Sequence, residues 1–347
     1  MMIGLKMPER IIALSKEVSN LANKQITEIQ SVSRLTKILA MNALVESAHA
    51  GEFGKGFAIV AQEVSEISDR MSKISKEFSS NLGEKLKEID TLGKTLVEQI
   101  RGGRLVDLSH NMIEIMDRNL YERSCDVRWW ATDSAVVNVA SEPEPEKKSY
   151  ASQRLAVILG AYTVYLDIWI LDCQGKVLAS GRPQEFPEVA KQNLSGVAWF
   201  QEALNSNSGN DFSVADIEVA PSLNNKAVAI YASSIRAGGE ATGKVIGVLG
   251  IFFDWETQSQ AIVDSVHLTK EEKEHSTALL VDSKFRIIAS NKKIGILKDR
   301  IPLKLELGSQ GNYINEMGEI VGFSRTPGYE TYQGLGWYGV IVQVQKK

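Results

Sequence analysis

The sequence predicts an α+β protein with an N-terminal antiparallel coiled-coil hairpin, a long helix and two antiparallel-sheet modules. Three observations support this class. Up to about residue 100, no proline follows Pro8, and apolar side chains recur at alternating spacings of three and four, as in coiled coils. From Tyr162 onward, short apolar runs bounded by turn residues indicate strands. Two of these strand regions repeat each other at a separation of about 110 residues.

A helical hairpin is expected over residues 1–104, with its tip near 51–54. Apolar stripes on the two arms predict the seam between them. The stripe of the first arm comprises Ile11, Leu14, Val18, Leu21, Val32, Leu35 and Leu39. The stripe of the returning arm comprises Phe57, Val60, Val64, Ile67, Met71, Ile74 and Phe78. Glycines 51, 54 and 56 mark a short bend between the arms.

Polar residues interrupt this seam at the tip. Beyond Leu39, the a/d spacing falls on Asn42 and Glu46. Polar groups at such positions set register or oligomeric state at a cost in stability. Incomplete burial beside a wet bend is the second interpretation, and periodicity alone does not decide between the two.

A long helix is expected over residues 105–140, between the hairpin and the strands. The segment RGGR (101–104) contains two adjacent glycines, each costing about 1 kcal/mol inside a helix, so we expect a break or hinge there. Helical spacing resumes from Leu105 to Leu120. The proline-bearing segment SEPEPEKKS (141–149) predicts a polar linker.

The strand region contains two copies of one unit. Residues 163–180 and residues 277–290 each predict a strand, an aspartate-containing turn and a second strand, with the same spacing from the aspartate to a final serine. Each copy is followed by an apolar closing strand. We therefore expect a first module over about 150–265 and a second over about 275–347, both within a C-terminal region 105–347.

Composition and charge exclude several functional classes. The 347 residues are 44% hydrophobic and 24% charged, an ordinary globular balance. A formal net charge of −4 provides no basic field for nucleic acid. The two cysteines and four histidines show neither a disulfide framework nor metal-ligand spacing, so no metal or other cofactor is expected.

No apolar run of about 18 residues and no signal peptide is apparent, so we expect a cytoplasmic protein without a membrane span. The sequence also lacks a P-loop, a GxSxG elbow, an HExxH motif and a Rossmann fingerprint. We therefore expect no enzymatic activity.

The stretch ILAMNALVESAHAGEFGKGFAIVAQEV (38–64) resembles the signalling tip of bacterial methyl-accepting chemotaxis receptors, and the likeness extends over residues 35–70. In that family the tip binds the histidine kinase CheA and the coupling protein CheW, and packs receptor homodimers into trimers of dimers. The resemblance implies that three residues face the kinase and coupling protein, namely Asn42, Ile59 and Glu63. It implies that Ile38, Glu46 and His49 lie at the trimer contact, and that Glu52 belongs to the bend.

Some positions depart from the family pattern. His49 stands where the family has arginine, which weakens a fixed ion pair with Glu46 and makes the contact sensitive to pH. Arg34 occupies a position that is often aromatic in the family. The arms are shorter than usual, and the segment TLVEQ (95–99) lies too near the tip to be a methylation site. We therefore expect no orthodox methylation control.

The long helix with two sheet modules resembles the double Cache sensor domains of bacterial receptors, which are built from PAS-like modules. The motifs LSGVAWFQEAL (194–204) and GKVIGVLGIFFDW (243–255) carry this likeness. Such modules bind small molecules. Amino-acid-binding members have an arginine where this chain has Val197, so an amino-acid ligand is not expected.

Strand alternation supplies the candidate ligand residues. Along residues 165–171, alternation places Leu166, Ile168 and Ile170 on a core face. The other face mixes aromatic and charged side chains, which suits a concave ligand site. The full candidate set is Arg128, Tyr165, Asp167, Trp169, Trp199, Tyr231 and Ser233.

Each candidate has a structural alternative. The aromatic side chains can belong to the core. Arg128, proposed for an anionic ligand group, can instead pair with Asp126 or Asp133 at the surface. Its neighbours Trp129 and Trp130 cannot share one helix face, so one of them can enter a core while the other meets a second surface. The alternative is that both tryptophans pack between the helix and a sheet.

These features together predict a soluble chemoreceptor-like signal transducer. Its Cache-like domain would sense a small molecule, and its hairpin tip would control a chemotaxis histidine kinase. The alternative is a small-molecule-binding protein that dimerises or scaffolds arrays, and whose shortened hairpin does not regulate kinase.

Overall fold

The computed structural model describes residues 7–344. The chain divides into two units, Met1–Arg101 and Gly102–Lys347. The N-terminal unit is a helical hairpin, and the C-terminal unit contains the remaining helices and two antiparallel sheets. The predicted α+β class is confirmed.

The elements follow in chain order. The described α-helices are α1 (Met7–His49), α2 (Lys55–Trp130), α3 (Ser134–Ser141), α4 (Pro145–Ala161), α5 (Ala198–Leu204), α6 (Trp255–Asp264) and α7 (Lys270–His275). The first five strands are β1 (Tyr165–Leu171), β2 (Val177–Ser180), β3 (Ser213–Ala220), β4 (Lys226–Arg236) and β5 (Val245–Asp254). The second five are β6 (Ser276–Val281), β7 (Ile287–Ser290), β8 (Gln310–Ile314), β9 (Ile320–Arg325) and β10 (Tyr338–Gln343).

The two sheets have the same topology. Their strand orders are β2-β1-β5-β4-β3 and β7-β6-β10-β9-β8, with every neighbouring pair antiparallel. The first turn of each module is fixed in the same way, because the Oδ1 atoms of Asp172 and Asp282 each accept two backbone N–H groups. The left-handed position of this turn is Gly175 in the first module and Phe285 in the second. The duplication seen in the sequence is therefore a duplication of structure.

The largest core lies along α2 and joins one face of each sheet. Leu105, Met112, Met116 and Leu120 of α2 are fully buried there. The opposite face of the first sheet packs against α5 in a second core, and the opposite face of the second sheet has a third. Helix α2 thus contributes core residues to both sheet modules.

The expected helix break at residues 101–104 is wrong, because α2 is continuous through this segment. A Cβ at Gly102 would lie 2.3 Å from the Oδ1 atom of Asn312, so glycine permits the close approach of β8. Arg104 then donates from Nε and Nη2 to the carboxylate of Glu272, at 2.9 and 3.1 Å. These contacts offset the low helix propensity of the glycine pair.

The helix expected over 105–140 is interrupted further along. It ends at Trp130, and α3 starts after Asp133, whose side chain accepts a hydrogen bond from the Ala135 N–H as an N-cap. Only part of the predicted linker 141–149 is non-helical, because Pro145 occupies the first turn of α4. Pro143 lies in the short non-helical connection, whereas Pro145 marks a helix start.

Candidate functional site

The tip of the hairpin is a short 3₁₀ turn, Gly51–Gly54, between α1 and α2. Gly51 has φ of +59°, which favours glycine. Gly54 is buried, and a Cβ there would lie 2.1 Å from the carbonyl oxygen of Ser47. The two glycines therefore allow the last turn of α1 and the first turn of α2 to approach each other closely.

The residues predicted to contact partners are all exposed. This set comprises Ile38, Asn42, Glu46, His49, Glu52, Ile59 and Glu63. His49 lies 3.7 Å from the Glu46 carboxylate, and Lys55 lies 2.6 Å from that of Glu52. The four side chains are 71–84% exposed, so these pairs contribute little to stability. They leave a charged surface that is open to a partner.

The seam between the two arms consists mainly of small residues, so the predicted seam of large apolar residues is wrong. On either side of the tip the buried positions recur every seven residues: Ile26, Ser33, Ala40 and Ser47 on α1, Gly54 in the turn, and Ala61, Ser68 and Ser75 on α2. Further from the tip, Gly93 of α2 is also buried. Ser33 Oγ donates across the seam to the Ser68 carbonyl at 2.7 Å. Small side chains allow the helices to approach closely, as knobs-into-holes packing of larger residues would not.

The large apolar stripes lie instead on the outer surface of the hairpin. Leu39 is 71% exposed and Ile74 is 62% exposed, and the other residues of the two predicted stripes are 40–75% exposed apart from Val64, which is half-buried. The N-terminal unit thus carries two heptad patterns, and only the one with small residues is satisfied within the chain. An exposed apolar surface of this length is typical of an interface.

The candidate ligand residues of β1 do not share a face, contrary to the predicted alternation. A β-bulge between Tyr165 and Asp167 shifts the register against β5. As a result Tyr165 joins the core along α2 with Ile168, whereas Trp169 joins the core around α5. Sequence alternation could not reveal this bulge, because no glycine or proline marks it.

Asp167 is buried and accepts four hydrogen bonds. Its carboxylate receives the backbone N–H groups of Ile168, Gly181 and Arg182 and the Nε1–H of Trp169, at 2.8–3.0 Å. Burial raises the pKa of Asp167 to about 6, and the four hydrogen bonds oppose that rise. In this arrangement the carboxylate ties β1 to the end of β2.

Tyr165 belongs to a buried ionic cluster with α2. Its hydroxyl donates to Asp126 Oδ2 at 2.5 Å, and the Asp126 carboxylate lies 3.3 Å from Arg123 Nε. The Arg123 guanidinium also lies over the rings of Tyr165 and Phe253. Burial raises the pKa of Asp126 above its usual range. Arg123 was not among the predicted site residues. The only feature of the sequence that points to it is a charged residue at a position where the helical pattern expects an apolar one.

The remaining aromatic and hydroxyl candidates also have partners within the protein. Trp199 packs against Phe252 in the core around α5. The Tyr231 hydroxyl lies 3.3 Å from that of Tyr332, and Ser233 Oγ donates to the Asp211 carbonyl at 3.0 Å. Their roles in ligand binding stay predictions, and the structure does not bring these residues into one pocket.

Arg128 differs from the other candidates because it lines an open cleft. Its predicted alternative, an ion pair with Asp126 or Asp133, is not formed. Its Nε atom donates to the Ser124 carbonyl at 2.7 Å, and its Nη1 atom lies 3.4 Å from the Asn210 carbonyl. The adjacent Trp130 is buried and Trp129 is exposed, as the two-surface interpretation of this pair predicts.

Within residues 7–344, no helix is both long enough and apolar enough to cross a membrane. In the same range, no group of three histidine, cysteine or acidic side chains is arranged to hold a metal ion.

Comparison with known proteins identifies the relatives of the N-terminal unit. Residues 6–124 match the model of the methyl-accepting chemotaxis protein signalling domain. Methyl-accepting chemotaxis protein I of Escherichia coli is 36% identical over 98 residues, 27% of this chain and 18% of that protein. Biofilm dispersion protein BdlA of Pseudomonas aeruginosa is 38% identical over 85 residues, 23% of this chain and 20% of that protein. The matched segments thus span a fifth or less of these two relatives.

The C-terminal unit has the fold of bacterial sensor domains. The sensor domain of the Vibrio cholerae histidine kinase DctB matches with a TM-score of 0.50 and 10% identity, covering 74% of this chain and 98% of that chain. A domain of a sensory box/GGDEF family protein from Vibrio parahaemolyticus also gives a TM-score of 0.50, with 12% identity and coverage of 70% and 96%. At this level of identity the likeness concerns the fold alone.

Proposed function

We propose that this protein is a chemoreceptor-like signal transducer that senses a small molecule through its C-terminal unit and controls a chemotaxis histidine kinase through the hairpin tip. The observation that carries this proposal is the exposed tip on a hairpin whose sequence matches the signalling domain of chemotaxis receptors. The sensor-type fold of the C-terminal unit supports the input half of the proposal.

The kinase CheA and the coupling protein CheW are the proposed partners of the tip. Asn42, Ile59 and Glu63 would form their docking surface, and all three side chains are exposed. Ile38, Glu46 and His49 would support contacts in trimers of dimers. Because these partners are cytoplasmic, we place the protein in the cytoplasm.

Helix α2 provides the physical link from input to output. It begins at the tip, with Lys55, and ends in the C-terminal unit, at Trp130. Within that unit it is held by polar contacts as well as by the core, since Asp117 accepts hydrogen bonds from Thr326 and Gly328. A ligand that favours one arrangement of these contacts would bias α2, and through it the tip.

A second copy of the chain is the proposed occupant of the exposed apolar stripes. The double substitution Ile67→Ser/Ile74→Ser should convert a dimer to a monomer, since it removes exposed apolar area from the interface and leaves the small-residue seam intact. Sedimentation equilibrium of the full chain would measure the mass.

The matched control is Lys73→Ser/Lys76→Ser, which shortens two exposed side chains of the same helix. The control should keep the dimer. A wild-type protein with the mass of one chain, or an Ile67→Ser/Ile74→Ser variant with the mass of two, would contradict the proposed interface.

Kinase control is tested by reconstitution with CheA and CheW. The protein should change the rate of CheA autophosphorylation, measured as phosphate incorporation from labelled ATP. Glu63→Lys should abolish the change because it reverses a charge on the docking surface, whereas Glu84→Lys, also exposed but far from the tip, should preserve it. An autophosphorylation rate that the wild-type protein leaves unchanged would favour the alternative, a dimeric ligand-binding or array-scaffolding protein.

A further inference from the structure

A cleft of about 450 Å³ opens beside the last turn of α2. It lies within the C-terminal unit, where Arg128 and Trp129 face the loop around Asn210, the end of β4 at Arg236 and the turn at Glu240. This volume falls within the range of small-molecule sites. None of the aromatic candidates predicted from strand alternation lines it.

The charge of Arg128 is not compensated by an acidic partner. Among the residues whose side chains the structure describes, no carboxylate lies within 4.0 Å of its guanidinium, and its hydrogen-bond acceptors are neutral. The guanidinium carbon of Arg128 lies 5.5 Å from the ring centroid of Phe212, in a cation–π contact. Arginine stays protonated in proteins, so this group places a fixed positive charge at the cleft.

A second arginine, Arg236, also lines the cleft. Arg236 is 93% buried and donates only to neutral acceptors, namely Ser234 Oγ at 3.0 Å and the carbonyls of Gly243 and Ser206 at 2.9 and 2.6 Å. The acidic residue that lines the cleft is Glu240, which is exposed to solvent. The balance of charge in the cleft therefore favours an anion.

The wall of the cleft offers an aromatic surface. Trp129 is 66% exposed although its neighbour Trp130 is buried in the core. Gly239 has φ of +71°, and a Cβ there would lie 3.1 Å from the Thr132 carbonyl, so the turn after β4 packs closely on the segment that follows Trp129. A planar apolar group lying in the cleft would remove indole surface from water.

We propose that this cleft binds an aromatic carboxylate, with Arg128 holding the carboxylate and Trp129 packing against the ring. This inference rests on the proposed function, because it takes the cleft to be the site at which the transducer senses its small molecule. A bidentate contact would use the Nη groups of Arg128, which now make only long contacts of 3.4–3.5 Å. The ligand would then touch α2 directly, the helix that begins at the tip.

The test measures binding to the full chain by isothermal titration calorimetry and by tryptophan fluorescence. Benzoate and indole-3-acetate should bind, benzamide should bind about tenfold more weakly because it lacks the charge, and acetate should bind more weakly because it lacks the ring. Arg128→Gln should reduce the affinity for benzoate about tenfold, and Arg128→Lys should restore part of it. Trp129→Ala should weaken benzoate binding and leave acetate binding unchanged.

Arg154→Gln is the matched control, since it removes one positive charge from the same unit outside the cleft and should leave benzoate affinity unchanged. Unliganded melting temperatures should differ little between Arg128→Gln and the wild type, because Arg128 has no ion-pair partner to lose and glutamine can still donate to the Ser124 carbonyl. Failure of benzoate and indole-3-acetate to bind at millimolar concentration, or equal affinities in Arg128→Gln and the control, would overturn the proposal. Tighter binding of acetate or inorganic phosphate than of benzoate would overturn the aromatic assignment. These assays contain no kinase, so their failure is distinguishable from failure of kinase control.

Discussion

Replacing Gly54 with alanine is expected to destabilise the tip of the hairpin. The new Cβ would lie 2.1 Å from the backbone oxygen of Ser47, and a backbone atom cannot rotate away as a side chain could. The arms must separate there, at a cost of about 1–3 kcal/mol for overpacking of this kind. Hydrogen–deuterium exchange of the last two turns of α1 should therefore become faster, by about tenfold or more.

Gly56→Ala provides a closely matched control. It lies two residues further along the chain, in the first turn of α2, and a Cβ there would have no neighbour within 4 Å. Alanine is the better helix former by about 1 kcal/mol, so exchange should slow or stay unchanged. Equal acceleration in both variants would show that the close approach of the arms at Gly54 does not hold the tip together.

Features governed by local rules were predictable from the sequence. The proline-free helical arms, the glycine bend and the duplicated strand–turn–strand unit all appear where the sequence placed them. Aspartates 172 and 282 organise their turns through contacts two and four residues away, so sequence spacing alone was sufficient to find them.

The seam of the hairpin was not predictable in this way, because two different helix surfaces could have formed it. Each arm carries a large apolar pattern and a small-residue pattern, and sequence alone does not decide which one closes the hairpin. The heptad spacing of Ser33, Ala40 and Ser47 was a usable sign, because the returning arm repeats it with Gly54 and Ala61. The large apolar stripes were predicted to form the seam because they are more hydrophobic. The small residues form it because they let the two helices come closer.

The candidate ligand site shows the same limit. Tyr165, Asp167 and Trp169 alternate in sequence, yet a bulge against β5 and internal hydrogen bonds divide them between cores. A bulge depends on the partner strand, which one strand's sequence does not contain. Arg128 was a candidate because it is a cation on the long helix, but the cleft beside it is formed by a distant loop and the end of β4.

Replacement of Asp167 by alanine should give the largest loss of stability in the C-terminal unit. Alanine would remove the acceptor of the Trp169 indole N–H and of the backbone N–H groups of Ile168 and Arg182, whereas the Gly181 N–H would keep the Ile168 carbonyl, at 3.1 Å. Each lost acceptor costs about 1–3 kcal/mol, so the combined loss should be about 3 kcal/mol or more. Urea denaturation followed by tryptophan fluorescence would measure it, with the exposed Asp264→Ala as a control of the same chemistry. A loss below about 1 kcal/mol would mean that these three donors find other partners.

The Asp167 carboxyl should also make stability depend on pH. Its pKa is raised from 3.8 to about 6 in the folded protein, so the folded state binds the proton more tightly than the unfolded chain. The free energy of unfolding should therefore fall by about 3 kcal/mol from this group as the pH rises from about 4 to 7. Burial also raises the pKa values of Asp117 and Asp126, so these carboxyls act in the same direction. The contribution of Asp167 is therefore measured as the difference in the free energy of unfolding between the wild type and Asp167→Asn, because asparagine does not titrate. The Asp167→Asn profile should be flatter over this range, and parallel profiles would show that the Asp167 carboxylate stays ionised throughout.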